Sequence, residues 1–563
     1  MKWVILTAFV IAVIFGSHHF LMPKFIPNLD FVYRPVAPNS NIDEYGYYGP
    51  RANSASHGDL IVSDIYLSEH EVDPALLPIL NPLVMAILGF MFYDFILPPV
   101  AFLLVYFLSL RLTSAKIPSL LFAIIFIFSP LVGISIPPTS FSSLKYLSAS
   151  IVPFLGAKGP LLFSRFEFPA VTFPFFILAL YFLWRALEEG KRKFILAAGA
   201  SFGLLFYTYL YDWATFLVSL VILFSLLLLN RKVEAKTVAL ILAIGFLVSI
   251  PYWLNFFALH SLAHYADIAN RIGIEISHSF RWGSVWKSYL RDVILTSILF
   301  LILGKKNFTL FAYLASFLLS YFIVVNAQVI LGFNPQPDHW YRVQLFPVAL
   351  SLLIIAVHLI KIKLPKGYAA AFIIFFLAGH GYMQYAFSRD NPYKIEKSYA
   401  ESYAWLNKNT DSGSVVASIS PDTITNIALY THNKSLLPNG GNTTASNNEI
   451  WVRYMYVSKL FGFSEKDFTE FIESNRNYVF QDYFTEKSHD SSFRAKSDEM
   501  PQELLKARKE EYDTLLQTAG SAPFRVDYLY FGPREKELSG INPAAIYRKV
   551  YDKDDIQIYE IGK

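Results

Sequence analysis

Phe95-Ile96-Leu97-Pro98-Pro99-Val100-Ala101-Phe102-Leu103-Leu104-Val105-Tyr106-Phe107-Leu108-Ser109-Leu110 carries no charged side chain and is followed at once by Arg111. An apolar run of this kind, closed by a cation, reads as a helix that crosses a bilayer and is retained at its basic end. Working outward, the pattern recurs. The candidate spans are Trp3–Met22, Phe95–Leu110, Ile117–Ile136, Val171–Leu187, Phe194–Leu210, Trp213–Leu229, Val238–Phe257, Val293–Leu303, Phe308–Ala327, Val343–Ile360 and Tyr368–Phe387, about eleven in all. The short Val293–Leu303 run must borrow flanking residues to cross. Trp3–Met22 follows Lys2 and lacks a clear small-x-small cleavage pattern, so it reads as an uncleaved first span with its N-terminus in the cytoplasm.

Composition agrees. The 563 residues are 54% hydrophobic and only 16% charged, against about a quarter charged in soluble domains. The deficit lies before Ser388; from Asp390 the chain reads like an ordinary soluble domain. A net charge of +4 with no basic stripe gives no reason to expect a nucleic-acid partner. The absence of cysteine excludes disulfides, thiolate metal sites and cysteine nucleophiles. The expected fold class is therefore a polytopic α-helical membrane protein with a C-terminal mixed α/β soluble domain, divided as 1–387 and 388–563.

Charge fixes the expected orientation. Arg111/Lys116, Arg185/Lys191/Arg192/Lys193, Arg231/Lys232/Lys236, Lys305/Lys306 and Lys361/Lys363/Lys366 all fall in gaps on one side, the cytoplasmic one. The alternation holds if Leu76–Phe92, with Pro78 and Pro82 and no basic flank, lies along the outer surface. The tail after Phe387 then faces out. Helix is expected over Tyr393–Asn409, Pro421–Thr431 and Glu449–Lys509, and strands at Val415–Ile419, Val526–Phe531 and Ile556–Ile561.

Three outer segments are long: Pro23–Asp94, Pro137–Ala170 and Ala258–Asp292. They and their neighbours hold Lys145, Lys158, Arg165, Arg271, Arg281, Lys287, Arg291 and Arg342 against the charge bias. Either an anion binds there or long side chains snorkel to headgroups. Arg342, in Pro337-Asp338-His339-Trp340-Tyr341-Arg342, is the first candidate for holding a phosphate, since its fork of donors matches the oxygens. It reads equally as an interfacial anchor. Arg165 and Lys158 follow. Asp338 and His339 position an acceptor or ligate a metal in one reading, and form loop hydrogen bonds in the other. Asp212, just before Trp213, reads chiefly as a helix cap and secondarily as a cavity residue.

The first outer loop is acidic, with Asp43, Glu44, Asp59, Asp64, Glu69, Glu71 and Asp73. Such acids keep a loop in water. One of them, pressed against the membrane, becomes a stronger base. Ile42-Asp43-Glu44-Tyr45-Gly46-Tyr47-Tyr48, then Leu76-Leu77-Pro78-Ile79-Leu80-Asn81-Pro82-Leu83, then Pro98-Pro99 through Leu110-Arg111-Leu112 resembles the GT-C superfamily of membrane glycosyltransferases. The closest likeness is to its protein O-mannosyltransferase and aminoarabinose transferase branch. The resemblance covers the first two-thirds of the chain as architecture. It departs from the family pattern where Pro50 and Gly58 interrupt the helix after the acidic pair.

What the resemblance implies is an inverting enzyme of the plasma membrane and cell envelope. It would move a sugar from a polyprenyl-phosphate carrier to a saccharide, lipid or protein acceptor on the outer face. The catalytic carboxylate falls on Asp43, with Glu44 as its neighbour and Asp64 as a further candidate. No cofactor is expected; the acids are numerous enough to hold a divalent cation through oxygen ligands, but metal independence is expected because no Asp-x-Asp pair stands in the first outer loop. Two other classes remain in view: a transporter or flippase of lipid-linked saccharides, and a non-catalytic assembly partner. The near absence of ionisable residues inside the spans disfavours the transporter.

Overall fold

The computed structural model describes residues 1–26, 30–38, 44–129, 145, 148, 151–153, 161–283, 285–359, 365–390, 393–486, 496–497, 499–518 and 524–561. Asp43, Lys158 and the end of the Ile117–Ile136 segment lie outside the described residues, as does the side chain of Asp338.

Helix occupies every apolar segment read from the sequence, within the described residues. Four helices are long and apolar enough to cross a bilayer alone: Tyr93–Thr113, Leu210–Asn230, Trp340–Leu359 and Lys366–Asp390. Two more candidates are bent pairs, Lys2–Gly16 with His18–Phe25 (43°) and Lys232–Val248 with Ile250–His260 (54°). Pro251 accounts for the second bend: it stands in the first turn of its helix, offers no N–H, and disfavours helical backbone before it. At the first bend Gly16 is required, because the Phe95 ring occupies the place of a Cβ. Lys116–Phe128 and Phe308–Val324 are apolar but shorter. The Val293–Leu303 run does borrow residues, on its N-terminal side, in a helix from Trp286 to Leu303. Within the expected surface segment, helix covers only Leu80–Leu88, nine residues, which is about 13 Å and too short to cross.

Contacts at the helix ends fix relative direction. The end of the first apolar helix meets the start of Tyr93–Thr113, where His19 Nε2 lies 3.0 Å from Asp94 Oδ2. At the other end of that helix, Arg111 donates to Glu188 (2.6 Å) and Glu189 (3.0 Å), and Glu189 also receives Lys191 (2.9 Å). These exposed pairs contribute little stability. Their value is topological: two loops expected on one side share one ion-pair network.

C-terminal to the apolar helices, five strands form a sheet in the order Arg548–Lys553, Ile556–Glu560, Tyr528–Phe531, Val415–Ala417, Lys434–Ser435. The first three run antiparallel; the last three are parallel, with the Pro421–Tyr430 helix crossing between Val415–Ala417 and Lys434–Ser435. Burial of Val416, Ile424, Ile427, Leu529 and Ile558 explains why these apolar runs form its core. The first expected tail helix begins later than the sequence suggests, at Lys397, because Lys394–Glu396 instead pairs as a strand with Phe31–Tyr33. That ribbon stitches the first outer loop to the tail. Asn53 reinforces the join by donating to the Ala428 and Thr431 carbonyls at 3.0 and 2.8 Å.

Candidate functional site at the helix ends

The site forms where chain reversals between apolar helices converge. Glu44–Tyr48 makes one wide helical turn whose Glu44, Tyr45 and Gly46 are buried. Tyr45 donates to Asn426 Oδ1 at 2.8 Å, pinning this turn to the tail. The Glu44 carboxylate accepts the Phe166 N–H at 3.2 Å. Phe166 is itself held by stacking on Phe90 (5.2 Å) and by the edge of Tyr93 (4.8 Å), so the donor facing Glu44 is fixed.

The next residue, Glu167, forms a buried pair with Arg51 at 2.7 Å and also accepts from Asn81 at 3.2 Å. Burial raises the Glu167 carboxyl above the usual range, while Arg51 and Asn81 oppose the rise. Asn81 in turn donates to the Thr208 carbonyl at 2.7 Å, which ties the 165–167 segment to the reversal before Leu210–Asn230.

That reversal supplies an aromatic floor. Phe168 stacks on Tyr209 at 5.0 Å, and the Arg342 guanidinium carbon lies 5.6 Å from the same Phe168 ring centre. The Tyr209 hydroxyl is buried, which raises its pKa, and it sits within electrostatic reach of Arg342, Asp212 and Arg165. His339 is driven down to about 3, first by burial and then by the Arg342 and Arg165 guanidiniums. Arg165 and Arg342 thus act on the same two groups. Tyr48, from the turn that carries Glu44, is also within reach of Arg342. Tyr211 fastens the two loops by donating to the Pro335 carbonyl at 3.0 Å, with its ring edge-on to His339 and Trp340. Among the described residues Arg342 forms no ion pair.

Arg165 and Arg342 both act electrostatically on Tyr209 and His339. Their planar donor sets suit phosphate oxygens, and the rings suit an apolar or stacked group beside it. Glu44, on the adjoining turn, provides a carboxylate near that place.

Of the residues singled out from the sequence, Glu44, Arg165, Arg342, His339 and Asp212 fall in this neighbourhood. Asp212 is not the cap expected of it: the helix starts at Leu210 after extended Tyr209, with no side-chain cap bond, so Asp212 sits in the first turn. Its carboxylate is buried and, among the described residues, Oδ2 accepts no hydrogen bond. Asp64 lies elsewhere, at the junction of loop and tail, where it accepts from the N–H groups of Tyr66 (2.8 Å), Leu67 (2.9 Å) and Thr444 (3.2 Å) and from the Thr443 hydroxyl. Two outer cations are likewise engaged: Arg271 donates to the carbonyls of Gly440, Thr443 and Ala445, and Arg281 pairs with Glu275. Arg51, Phe168 and Tyr209 carried no sequence signal of their own. Glu167 did stand beside Arg165, but its partners are remote in sequence.

No protein-family model matches the sequence, and no curated protein matches it. Two solved structures are similar along nearly the whole chain, both of ArnT from Cupriavidus metallidurans. With the form bound to undecaprenyl phosphate the identity is 12%, over 99% of this chain and 98% of that one, at a TM-score of 0.47. With the apo form the identity is 11%, over 99% and 98%, at a TM-score of 0.45.

Proposed function

We propose that the protein is a membrane glycosyltransferase that uses a polyprenyl-phosphate sugar as donor and acts on the outer face of the membrane. The observation that supports this most is Arg342 over the Phe168 ring that stacks on Tyr209, with Arg165 within electrostatic reach of the same Tyr209 and of His339. In this reading the guanidiniums hold the donor phosphate and stabilise the charge it gains on leaving. Asp43 or Glu44 accepts the proton of an acceptor hydroxyl or amine. The acceptor atom bonds to the anomeric carbon as the carbon–oxygen bond to phosphate breaks, on opposite faces, which inverts the centre. The apolar helices hold the polyprenyl chain. Residues 1–387 form the membrane part, with a cytoplasmic N-terminus, and 388–563 cover the first outer loop from outside. Asp338 and His339 flank the acceptor's approach, and Lys158 adds a third cation near the phosphate.

The test is glycosyl transfer by the purified chain in lipid, across a panel of labelled polyprenyl-phosphate sugars. The expected result is transfer or donor hydrolysis in the wild type that disappears in Asp43→Asn with the fold intact. Activity that survives in Asp43→Asn and disappears in Glu44→Gln moves the base by one residue. Tight donor binding with no turnover by the folded wild type, under any acceptor, contradicts the enzyme reading.

A further inference from the structure

A second cluster of chemically able side chains lies where the first apolar helix ends. His18, His19 and Asp94 are each at most 3% exposed, and one possible ligand atom from each lies within 4.8 Å of the others. His19 Nε2 stands 3.0 Å from Asp94 Oδ2, and His18 Nε2 stands 3.6 Å from the same oxygen. Tetrahedral ligands at zinc distances are separated from one another by roughly 3.3 Å.

The hydrogen bonds around the cluster give independent evidence. His18 Nδ1 lies 2.7 Å from the Phe15 carbonyl oxygen, which can only accept, so Nδ1 carries the proton. The Gln384 amide nitrogen lies 3.1 Å from the same Nδ1. A neutral His18 therefore turns the lone pair of Nε2 toward a buried carboxylate. A buried imidazole lone pair facing a carboxylate oxygen is unfavourable unless a proton or a metal ion lies between them. His19 is oriented in the same way, Nδ1 against the Tyr33 hydroxyl and Nε2 toward Asp94. Metal-binding histidines characteristically donate their second ring N–H to a carbonyl or a similar group; His18 is held in that manner by the Phe15 carbonyl, and His19 Nδ1 faces the Tyr33 hydroxyl, which can donate or accept.

We propose that His18, His19 and Asp94 bind a divalent transition-metal ion of the zinc class at this junction. Two imidazoles and a carboxylate suit zinc and leave a fourth position for water. The ion ties the end of the first apolar helix to the start of Tyr93–Thr113. Through Tyr33 and Gln384 it also reaches the Phe31–Tyr33 strand and the Lys366–Asp390 helix. Tyr93, next to Asp94, donates to the Ser164 carbonyl, and Ser164 precedes Arg165. The ion is thus placed to steady the segment that presents one of the two site cations. This inference does not depend on the glycosyltransferase reading, and its test reads metal, not activity.

The full chain, purified in detergent and stripped with a chelator, is loaded with zinc or cobalt(II) and analysed for metal content. The wild type is expected to retain about one ion per chain, to show the visible absorption of four-coordinate cobalt(II), and to melt at a higher temperature with zinc than with chelator. His19→Ala and Asp94→Asn are expected to lose the ion and the cobalt signal, with a melting temperature indifferent to both. Tyr33→Phe, which removes only the outer partner, is expected to keep the ion with affinity weakened about tenfold or more. Should the ligand variants fail to fold, the wild type alone decides. A folded wild type that takes up no metal, or whose cobalt spectrum and melting are unchanged by loading, overturns the proposal and leaves a proton between His18 and Asp94.

Discussion

The first outer loop feeds two regions of opposite character. At its junction with the tail, polar groups are closed on one another: Asp64 accepts three backbone N–H groups and a hydroxyl, and Arg271 donates to three carbonyls. His70 there lies between Glu449 (3.0 Å) and Asp73 (2.7 Å). At the helix ends the balance is reversed. Arg165 and Arg342 both act on Tyr209, burial and the same guanidiniums lower the His339 pKa, and among the described residues a buried carboxylate oxygen of Asp212 accepts no hydrogen bond. Polar groups close on one another at the junction, whereas at the helix ends buried titratable groups from several segments gather in one neighbourhood. Strongly perturbed titratable groups gathered in one place mark a candidate functional site.

The largest effects that sharpen this contrast are on activity. Removing the base, by Asp43→Asn together with Glu44→Gln, is expected to reduce transfer by about 10²- to 10⁴-fold with melting little changed, as measured in the reconstituted assay. Arg51→Met is expected to reverse the pattern, costing about 3–5 kcal/mol of stability because Glu167 is left buried and unpaired. The double variant with Glu167→Leu should recover much of that cost in denaturation measurements. Asp64→Ala should cost about 3 kcal/mol by stranding the donors that face it, and leave the turnover of each folded molecule unchanged.

The smallest effect is tied to pH. Burial alone would lower the pKa of His70, but hydrogen bonds to Glu449 and Asp73 raise it from 6.5 to about 9. Its contribution is therefore complete below about 6.5 and is lost as pH rises through about 9. Burial opposes ionisation of Glu449 too, yet His70 and Arg453 lower it to about 2, so its contribution is complete above about 4.5 and fades toward pH 2. His70→Gln should then cost about 1–2 kcal/mol between those limits, near pH 5–6, and nothing above pH 10. A cost that grew with rising pH would contradict the pairing.

Much of the architecture was legible because it follows from local pattern. Apolar runs of helical length became helices, and Val415–Ala417, Tyr528–Phe531 and Ile556–Glu560 became strands where β-branched and aromatic residues cluster. Arg342 and Arg165 stood out in the sequence as cations in segments expected on the side the charge bias disfavours. What remained hidden depends on pairings across long separations. Nothing in the sequence near Asp64 announces Thr443 and Thr444, and nothing near Arg51 announces Glu167. His18 and His19 look like the fading end of an apolar helix until Asp94 is set beside them. The helix at Asp212 starts three residues earlier than a cap there would require, since Leu210, Tyr211 and Asp212 are already helical after extended Tyr209. Asn433 and Asn442, polar residues of the tail, are buried by contacts no motif encodes.

The central claim is that Arg165 and Arg342 form a phosphate site for a lipid-linked donor. The most direct measurement is binding of a polyprenyl phosphate, without sugar, to the purified chain in detergent, comparing wild type with Arg342→Ala and Arg165→Ala. The account predicts saturable binding that either substitution weakens by about 10- to 100-fold, the loss expected for a charged hydrogen bond, with melting of the free protein preserved. Equal affinity in all three proteins, or no saturable binding by the folded wild type, would contradict it.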